Sequence, residues 1–481
     1  MTDQHRAGFT AADGFALDTM PFLDGLMASG MRFRRAYTSS PACVPARCSL
    51  LTGRFPTAHR VRQNSAARHV LRGDDLVDVL RDAGYSLQYA GKTHFYREAG
   101  DFDAFAAPYW HERGPDGAAH GEERRFEEWL AGLDHGVAHE PTPFPLECQL
   151  PYRIVSGAID SLSHTPDDRP YFGWLSFPEP HNPYQVPEPY FGMFAETDVP
   201  DRLAGPEGAE RKGGDCRWLR RLVEEKRPGY DDGWRRYRAN YCGMLRLIDD
   251  QLRRFFAALM ESGRAENTVV LFVSDHGDYV GDYGLQRKGA GMPECLMRIP
   301  FAVTGPGMVA DVNDRDFVSL VDVLPTVCDA VGAEIPLGVQ GRSLWPVLRG
   351  EPYPAEEFAS IYAERGFGGL PYGVDERPPL HFDYAGPTFD ELNTVTQSGT
   401  TVMLRRDRWK LLMDESGRGE LYDLDADPAE LTNRYDDASL TEVRAALTAE
   451  LLRWSIRTRD DLPRAAYTPR RAPHNWTGSA P

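Results

Sequence analysis

The chain has 481 residues, 41% of them hydrophobic, and a formal net charge of −18. That length accommodates two domains or one large α/β domain with an appendage, and the apolar share is enough for a sizeable core. The acidic balance points away from nucleic acid and from anionic membrane surfaces, both of which select broad basic patches. It leaves room for a small anion held by a few Arg and Lys in a cleft.

In chain order, the opening Met-Thr-Asp-Gln-His-Arg-Ala-Gly shows no basic segment followed by an apolar one, and no apolar run nears the roughly 18–20 residues of a membrane span. As written, the expected location is the cytoplasm. Residues 20–33 set apolar side chains at helical spacing and predict a helix closed by Gly30; 74–83 repeat the pattern before Gly84. A strand is predicted at 85–90 and a compact apolar one at 170–177, with aromatic-rich loops and one helix near 121–133 between them. The polar, Gly-rich stretch 200–232 reads as a surface insertion. A long helix over 237–260 carries Leu245, Ile248, Leu252, Phe255, Phe256 and Leu259 on one face, and the β-branched run 268–274 has the texture of a buried strand. A strand at 299–303 and a helix at 318–331 continue the alternation. The fold class is α/β: a large, mostly parallel central sheet flanked by helices. Near 350 the texture changes to a hairpin (VMLRRDRWKLLM, GELYDL), a helix at 439–455 and a Pro- and Arg-rich tail. This predicts a catalytic domain over 1–355 and a smaller α+β subdomain with a short antiparallel sheet over 356–481.

Seven cysteines, at 43, 48, 148, 216, 242, 295 and 328, form neither a disulfide framework nor a CxxC metal pattern. Polar residues past the carboxyl ends of strands line the crevice of an α/β sheet, and four places qualify: Asp275 and His276, Lys92 and His94, His181, and Asp3 with Gln4. An adjacent carboxylate and imidazole suit a divalent cation, or cap a following helix.

Residues 43–54, CVPARCSLLTGR, narrow these alternatives. Cys43, Pro45, Arg47 and the following Thr52-Gly53-Arg54 resemble the CxPxR…TGR signature of the type I, formylglycine-dependent sulfatases of the alkaline phosphatase superfamily. YAGKTHF, SFPEPHNPY, SDHGDYVGDYGLQRKG, LVDVLPTVCDAVG and GELYDLDADPAE resemble further elements of that family in order, over most of residues 1–460. The resemblance implies a sulfuric ester hydrolase in which Cys43 is oxidised by a formylglycine-generating maturase. The aldehyde hydrate would be the nucleophile. Asp3, Gln4, Asp275 and His276, with the modified Cys43, would hold one divalent cation. Arg47 would hold the hydrate, and Lys92 and Lys288 would bind sulfate oxygens or the nucleophile, Lys288 also being placed to help His181. His181 would protonate the leaving alcohol, and His94 would take the proton that lets the sulfate depart and the aldehyde re-form.

Where many members carry Asp-Asp, this chain has Asp3-Gln4, which removes a negative charge, and His276 replaces an Asn. Ca²⁺ is the expected cation, with Mn²⁺ and Mg²⁺ as alternatives. The family completes its first central strand just before the position of Asp3, so that strand is expected to be truncated as written, with a start upstream or Asp3 on a frayed terminus. Two other functions are open: phosphonate monoester or phosphodiester hydrolysis in the same fold, and a catalytically silent binding protein whose Cys43 stays a thiol. Aromatic loops at 108–110 and 184–193, with 200–232 and 364–398, either pack the domain interface or shape the leaving-group pocket, in which case they favour a sulfated carbohydrate over a small aryl or choline ester. Neither the oligomeric state nor the sulfate position is legible in the sequence. Cys48 is expected to pack as a small core residue, unpaired with Cys43.

Overall fold

Alternating apolar strands and amphipathic helices build a central sheet covered on both faces. The computed structural model describes residues 1–64, 67–109, 120–373, 375–377, 381–382, 389–390, 398–459, 462 and 472–476. The strands are β1 (Met31–Tyr37), β2 (Ser86–Gly91), β3 (Ala104–Ala106), β4 (Tyr171–Ser176), β5 (Val270–Val273), β6 (Phe301–Thr304) and β7 (Asp311–Ser319). One half-sheet runs β3-β2-β4, all parallel; the other runs β5-β6-β1-β7, with β6 antiparallel to both neighbours and β1 parallel to β7. Thr2 joins the halves, pairing in parallel with Phe177 beyond β4 and with Ser274 beyond β5. The terminus is therefore not frayed: Thr2 and Asp3 are fully buried, the Thr2 amide donates to Val273 at 3.0 Å and the Phe177 amide to Met1 at 2.9 Å. Residues Met1–Thr2 lie in the central strand position, between β4 and β5.

The helices 43–52, 76–82 and 323–331 pack on one face of the sheet, sharing a core with Phe33, Leu87, Val303 and Val318. The helices 150–163 and 234–261 cover the other, where Ile154, Leu245, Ile248 and Leu252 meet Phe177 and Phe272. Of the predicted stripe on the long helix, only Phe256 stays partly exposed.

Several expectations are corrected. The first helix spans only Pro21–Met27, and Gly30 is not its left-handed cap. A Cβ on Gly30 would stand 2.2 Å from the Val303 carbonyl oxygen, so glycine there serves the close approach of β1 to β6. The predicted helix 318–331 begins at Val323, because β7 runs through Ser319 and a capping box at Ser319–Asp322 makes the turn. The stretch 200–232 is not a solvated insertion. Its helices Pro206–Lys212 and Gly214–Lys226 bury Trp218, Leu219, Leu222 and Val223 against Tyr279, Tyr283 and Leu296.

After residue 355, β8 (Ser360–Gly368), β9 (Gly399–Arg406), β10 (Trp409–Asp414) and β11 (Gly419–Asp423) form an antiparallel sheet in the order β11-β10-β9-β8. The helix Thr441–Arg457 packs Leu447, Leu451 and Trp454 against it. Most of 374–397 and of the Pro- and Arg-rich tail lies outside the described residues, as does residue 110. Among the described residues, no helix is long and apolar enough to cross a membrane.

Candidate active site

The site lies beyond the carboxyl ends of the parallel strands. The segment at Thr2 delivers Asp3 and Gln4 there, and β5 delivers Asp275 and His276, with the Gln4 backbone amide donating to Asp275 Oδ1 at 3.0 Å. No helix follows His276, so Asp275 is not a helix cap; the chain turns away through Gly277, where a Cβ would lie 2.0 Å from the Cys295 carbonyl oxygen. From β1 the chain passes through Thr38–Ala42 into the helix Cys43–Thr52, whose first residue is Cys43. Cys48 belongs to the hydrophobic core, and five residues along a helix turn it about 140° away from Cys43. Both cysteines are free.

Asp3, Cys43, Asp275 and His276 are buried, and one ligand atom from each lies within 4.8 Å of all the others. Cys43 Sγ is 3.3 Å from His276 Nε2 and 3.7 Å from Asp3 Oδ1. Burial and Asp3 push the Cys43 thiol up, but Lys288, Lys92 and His276 outweigh them and its pKa is lowered. Arg47 is fully buried behind the cluster, donating through Nε to Asp275 Oδ2 at 2.9 Å and through Nη2 to Asp3 Oδ2 at 3.2 Å. Its Nη1 donates to the Lys92 carbonyl and to Ser176 Oγ, which fixes the guanidinium plane. Lys92 Nζ stands 2.8 Å from Asp3 Oδ2. Burial opposes ionisation of Asp3, yet Lys92, His181, Arg47 and Lys288 together hold its carboxyl well below the usual range.

The remaining expected residues surround this cluster. Lys288 Nζ donates to Gln4 Oε1 at 2.8 Å. His181 pairs Nδ1 with the Asn182 carbonyl at 2.8 Å, a contact in which Nδ1–H is the donor and Nε2 is left with its lone pair. Burial, Lys288 and Lys92 hold His181 well below its ordinary pKa. His94 has a left-handed backbone (φ 46°) and meets the Tyr109 ring edge-on at 6.2 Å, while Lys92 Nζ lies 5.2 Å from the same ring centroid. Of the aromatics at 184–193, Tyr184 and Tyr190 are buried in the sheet-and-helix core and Phe191 is half-buried against it.

Three residues escaped the sequence reading. Asp278 is fully buried and accepts hydrogen bonds from Gln4 Nε2, Tyr184 and Tyr237. Ser176 Oγ bridges Arg47 and the Lys92 carbonyl. Glu179, inside the Pro-framed loop, has its carboxyl pushed up to about 8 by burial. The Asp-His-Gly-Asp string contained Asp278, but its partners come from loops and helices far along the chain.

The donor set, two carboxylates with an imidazole and a thiol, fits a divalent cation. His276 Nδ1 contacts the Gly277 carbonyl at 2.8 Å, which places the proton on Nδ1 and turns the Nε2 lone pair toward Asp3 and Asp275, 3.8 and 3.7 Å away. A lone pair facing two carboxylates and a thiol whose pKa is lowered is an arrangement a cation satisfies.

Comparison with known proteins bears on what such a site belongs to. The family model described as Sulfatase matches residues 1–333. The chain belongs to the sulfatase family. This sulfatase is 28% identical to an arylsulfatase of Clostridium perfringens over 90% of its own length and 88% of the relative's. It is 27% identical to the multifunctional alkaline phosphatase superfamily protein PehA of Trinickia caryophylli, covering 95% and 94% of the two chains. Among solved structures, it superposes on a phosphonate monoester hydrolase of Agrobacterium radiobacter with a TM-score of 0.75 at 24% identity, over 96% and 95% of the chains. The sulfatase is thus a hydrolase of the alkaline phosphatase superfamily with the expected α/β fold.

Proposed function

We propose that this sulfatase cleaves a sulfate ester through a formylglycine made from Cys43, with one divalent cation, Ca²⁺ before Mn²⁺ or Mg²⁺, held by Asp3, Gln4, Asp275 and His276. The observation that carries the reading is the convergence of Asp3, Cys43, Asp275 and His276 within 4.8 Å around the first residue of a helix. When present, the modified side chain supplies a nucleophilic oxygen, and the cation neutralises charge on the sulfate.

The chain's own residues do the rest. Three buried carboxylates, Asp3, Asp275 and Asp278, face three buried cations, Arg47, Lys92 and Lys288. A divalent cation added to that balance leaves the site positive, a well for an anionic ester. Arg47 fixes Asp3 and Asp275 and so keeps the cluster's shape. Lys92 and Lys288 orient the sulfate oxygens, and His181, which has to take up a proton on Nε2 first, would pass that proton to the leaving alcohol, with Lys288 beside it. Next to Tyr109, His94 takes the proton whose removal frees the sulfate. For the alcohol we favour a carbohydrate, the class of leaving group to which the aromatic-rich loops of this chain are suited.

Mass spectrometry of the Cys43 peptide from protein made with a maturase tests the reading. The thiomethylene is expected to be replaced by an aldehyde; an unmodified thiol in active protein overturns it, and an unmodified thiol in inactive protein favours a silent binding protein. A second reading, phosphonate monoester or phosphodiester hydrolysis, draws on the relative named multifunctional. Parallel assays with an aryl sulfate and a phenylphosphonate ester separate the two, the sulfate being expected to react with the higher kcat/KM.

A further inference from the structure

Position 4 poses a chemical question. An amide stands where a second carboxylate would give the cation more charge, and the structure shows where that charge has gone. Gln4 is fully buried with a left-handed backbone (φ 67°), its carbonyl held by Tyr241 Oη at 2.7 Å. Its side-chain Nε2 donates to Asp278 Oδ2 at 2.6 Å and to Tyr184 Oη at 3.0 Å, while Oε1 accepts from Lys288 Nζ at 2.8 Å. The assignment of the two amide ends follows from the neighbours. Lys288 can only donate, and Asp278 already accepts from the Val280 amide at 2.8 Å, from Tyr184 at 2.8 Å and from Tyr237. An aspartate or glutamate at position 4 would set two carboxylates in contact, and such pairs do not both ionise.

We propose that Asp278 is a positioning residue of the cation site: it aims the Gln4 carbonyl oxygen at Lys288 and the Asp3–Cys43–Asp275–His276 cluster, and supplies from behind the amide the negative charge that a carboxylate at position 4 would bring. Gln4 and Asp278 form one unit, an amide ligand polarised by a carboxylate, in the way that outer carboxylates polarise metal-bound imidazoles. Tyr184 and Tyr237 complete the unit, keeping the carboxylate fully bonded and away from water. The inference rests on the reading of this cluster as a cation site.

The test is a charge transfer between the two positions, read by Ca²⁺ and Mn²⁺ titration calorimetry on the full-length protein, with circular dichroism as the folding control. Asp278→Asn is expected to weaken cation binding about tenfold or more. The double variant Gln4→Glu with Asp278→Asn keeps the net charge and the number of hydrogen bonds, and is expected to recover affinity to within about threefold of the parent. A residue with only a structural role in the loop would not be rescued from position 4. If Asp278→Asn does not fold but the double variant folds and binds, the proposal stands. It is overturned if Asp278→Asn binds like the parent, or if the double variant recovers nothing. A parent that binds neither cation would overturn the cation site itself, a result distinct from either of these.

Discussion

Two clusters of buried charge draw on the segment 275–297, and they obey different rules. Behind the segment, Lys410 Nζ sits 3.0 Å from Glu294 Oε1 and 2.9 Å from Glu430 Oε1. Tyr37 donates to Glu294 at 2.7 Å, Arg405 donates to Tyr37, and the Glu294 amide donates to Glu430. Every member answers another, and the cluster ties the antiparallel sheet to the catalytic core. In front, the Asp3–Cys43–Asp275–His276 group aims a lone pair, two carboxylates and a thiol at one point. Buried ions that satisfy one another hold a fold together; buried ions that leave a centre to be filled are arranged for a ligand.

Substitutions can break this contrast. The largest effect is expected from Cys43→Ala, which should lower kcat/KM on a sulfate ester by about 10⁴-fold or more with little change in the thermal midpoint. Next comes the pair of buried lysines. Lys410→Met removes the cation that Glu294 and Glu430 share, leaving them the more distant Arg405 at 3.6 Å and Lys212 at 3.7 Å, and should cost about 3 kcal/mol in urea unfolding, with turnover per folded molecule intact. Lys92→Met should do the reverse, losing about 10²-fold or more in turnover with a smaller stability loss, since Asp3 keeps Arg47. Equal stability losses for the two lysines would erase the distinction.

A pH titration sharpens it. Burial pushes the Glu294 carboxyl up, but Lys410, Arg405 and Arg298 pull it down to about 2. With the folded value below the unfolded 4.5, its contribution is complete above about pH 4.5 and is lost as pH falls toward 2. Glu294→Gln should therefore flatten the acid limb of stability by about 2–3 kcal/mol while lowering stability at neutral pH; an unchanged acid limb would show that Glu294 is not the group being titrated. The smallest effect belongs to Cys48→Ala, about 1 kcal/mol of core packing with kcat/KM unchanged, against the total loss at its neighbour in sequence.

Much of this was legible in the sequence for local reasons. Asp275-His276, Lys92 and His181 stand at the ends of strands whose apolar runs are short and unmistakable, and Cys43-x-Pro-x-Arg47 is a contiguous string. What stayed hidden depends on distant partners. Asp278 has meaning only beside Gln4, Tyr184 and Tyr237, which arrive from three remote parts of the chain. The antiparallel course of β6 is invisible in a run as uniform as Phe301–Thr304, and the 206–226 helices look polar because they bury one narrow face. Gly30 was misread for a related reason: a glycine needed by a neighbouring strand looks the same in sequence as one that ends a helix.

The Thr2 pairing has a consequence for how the molecule is held shut. The two half-sheets meet along a seam at the strand segment of residues 1–3, flanked by β4 and β5. Asp3 and Gln4 ride on that strand, while Asp275 and His276 belong to the far bank. An ion gripped by both sides would act as a rivet across the seam, and its affinity would be paid out as resistance to the halves parting. Amides at Phe177 and Asp275 would then exchange with solvent more slowly when the cation is bound, making the centre of the sheet a reporter on the occupancy of its edge.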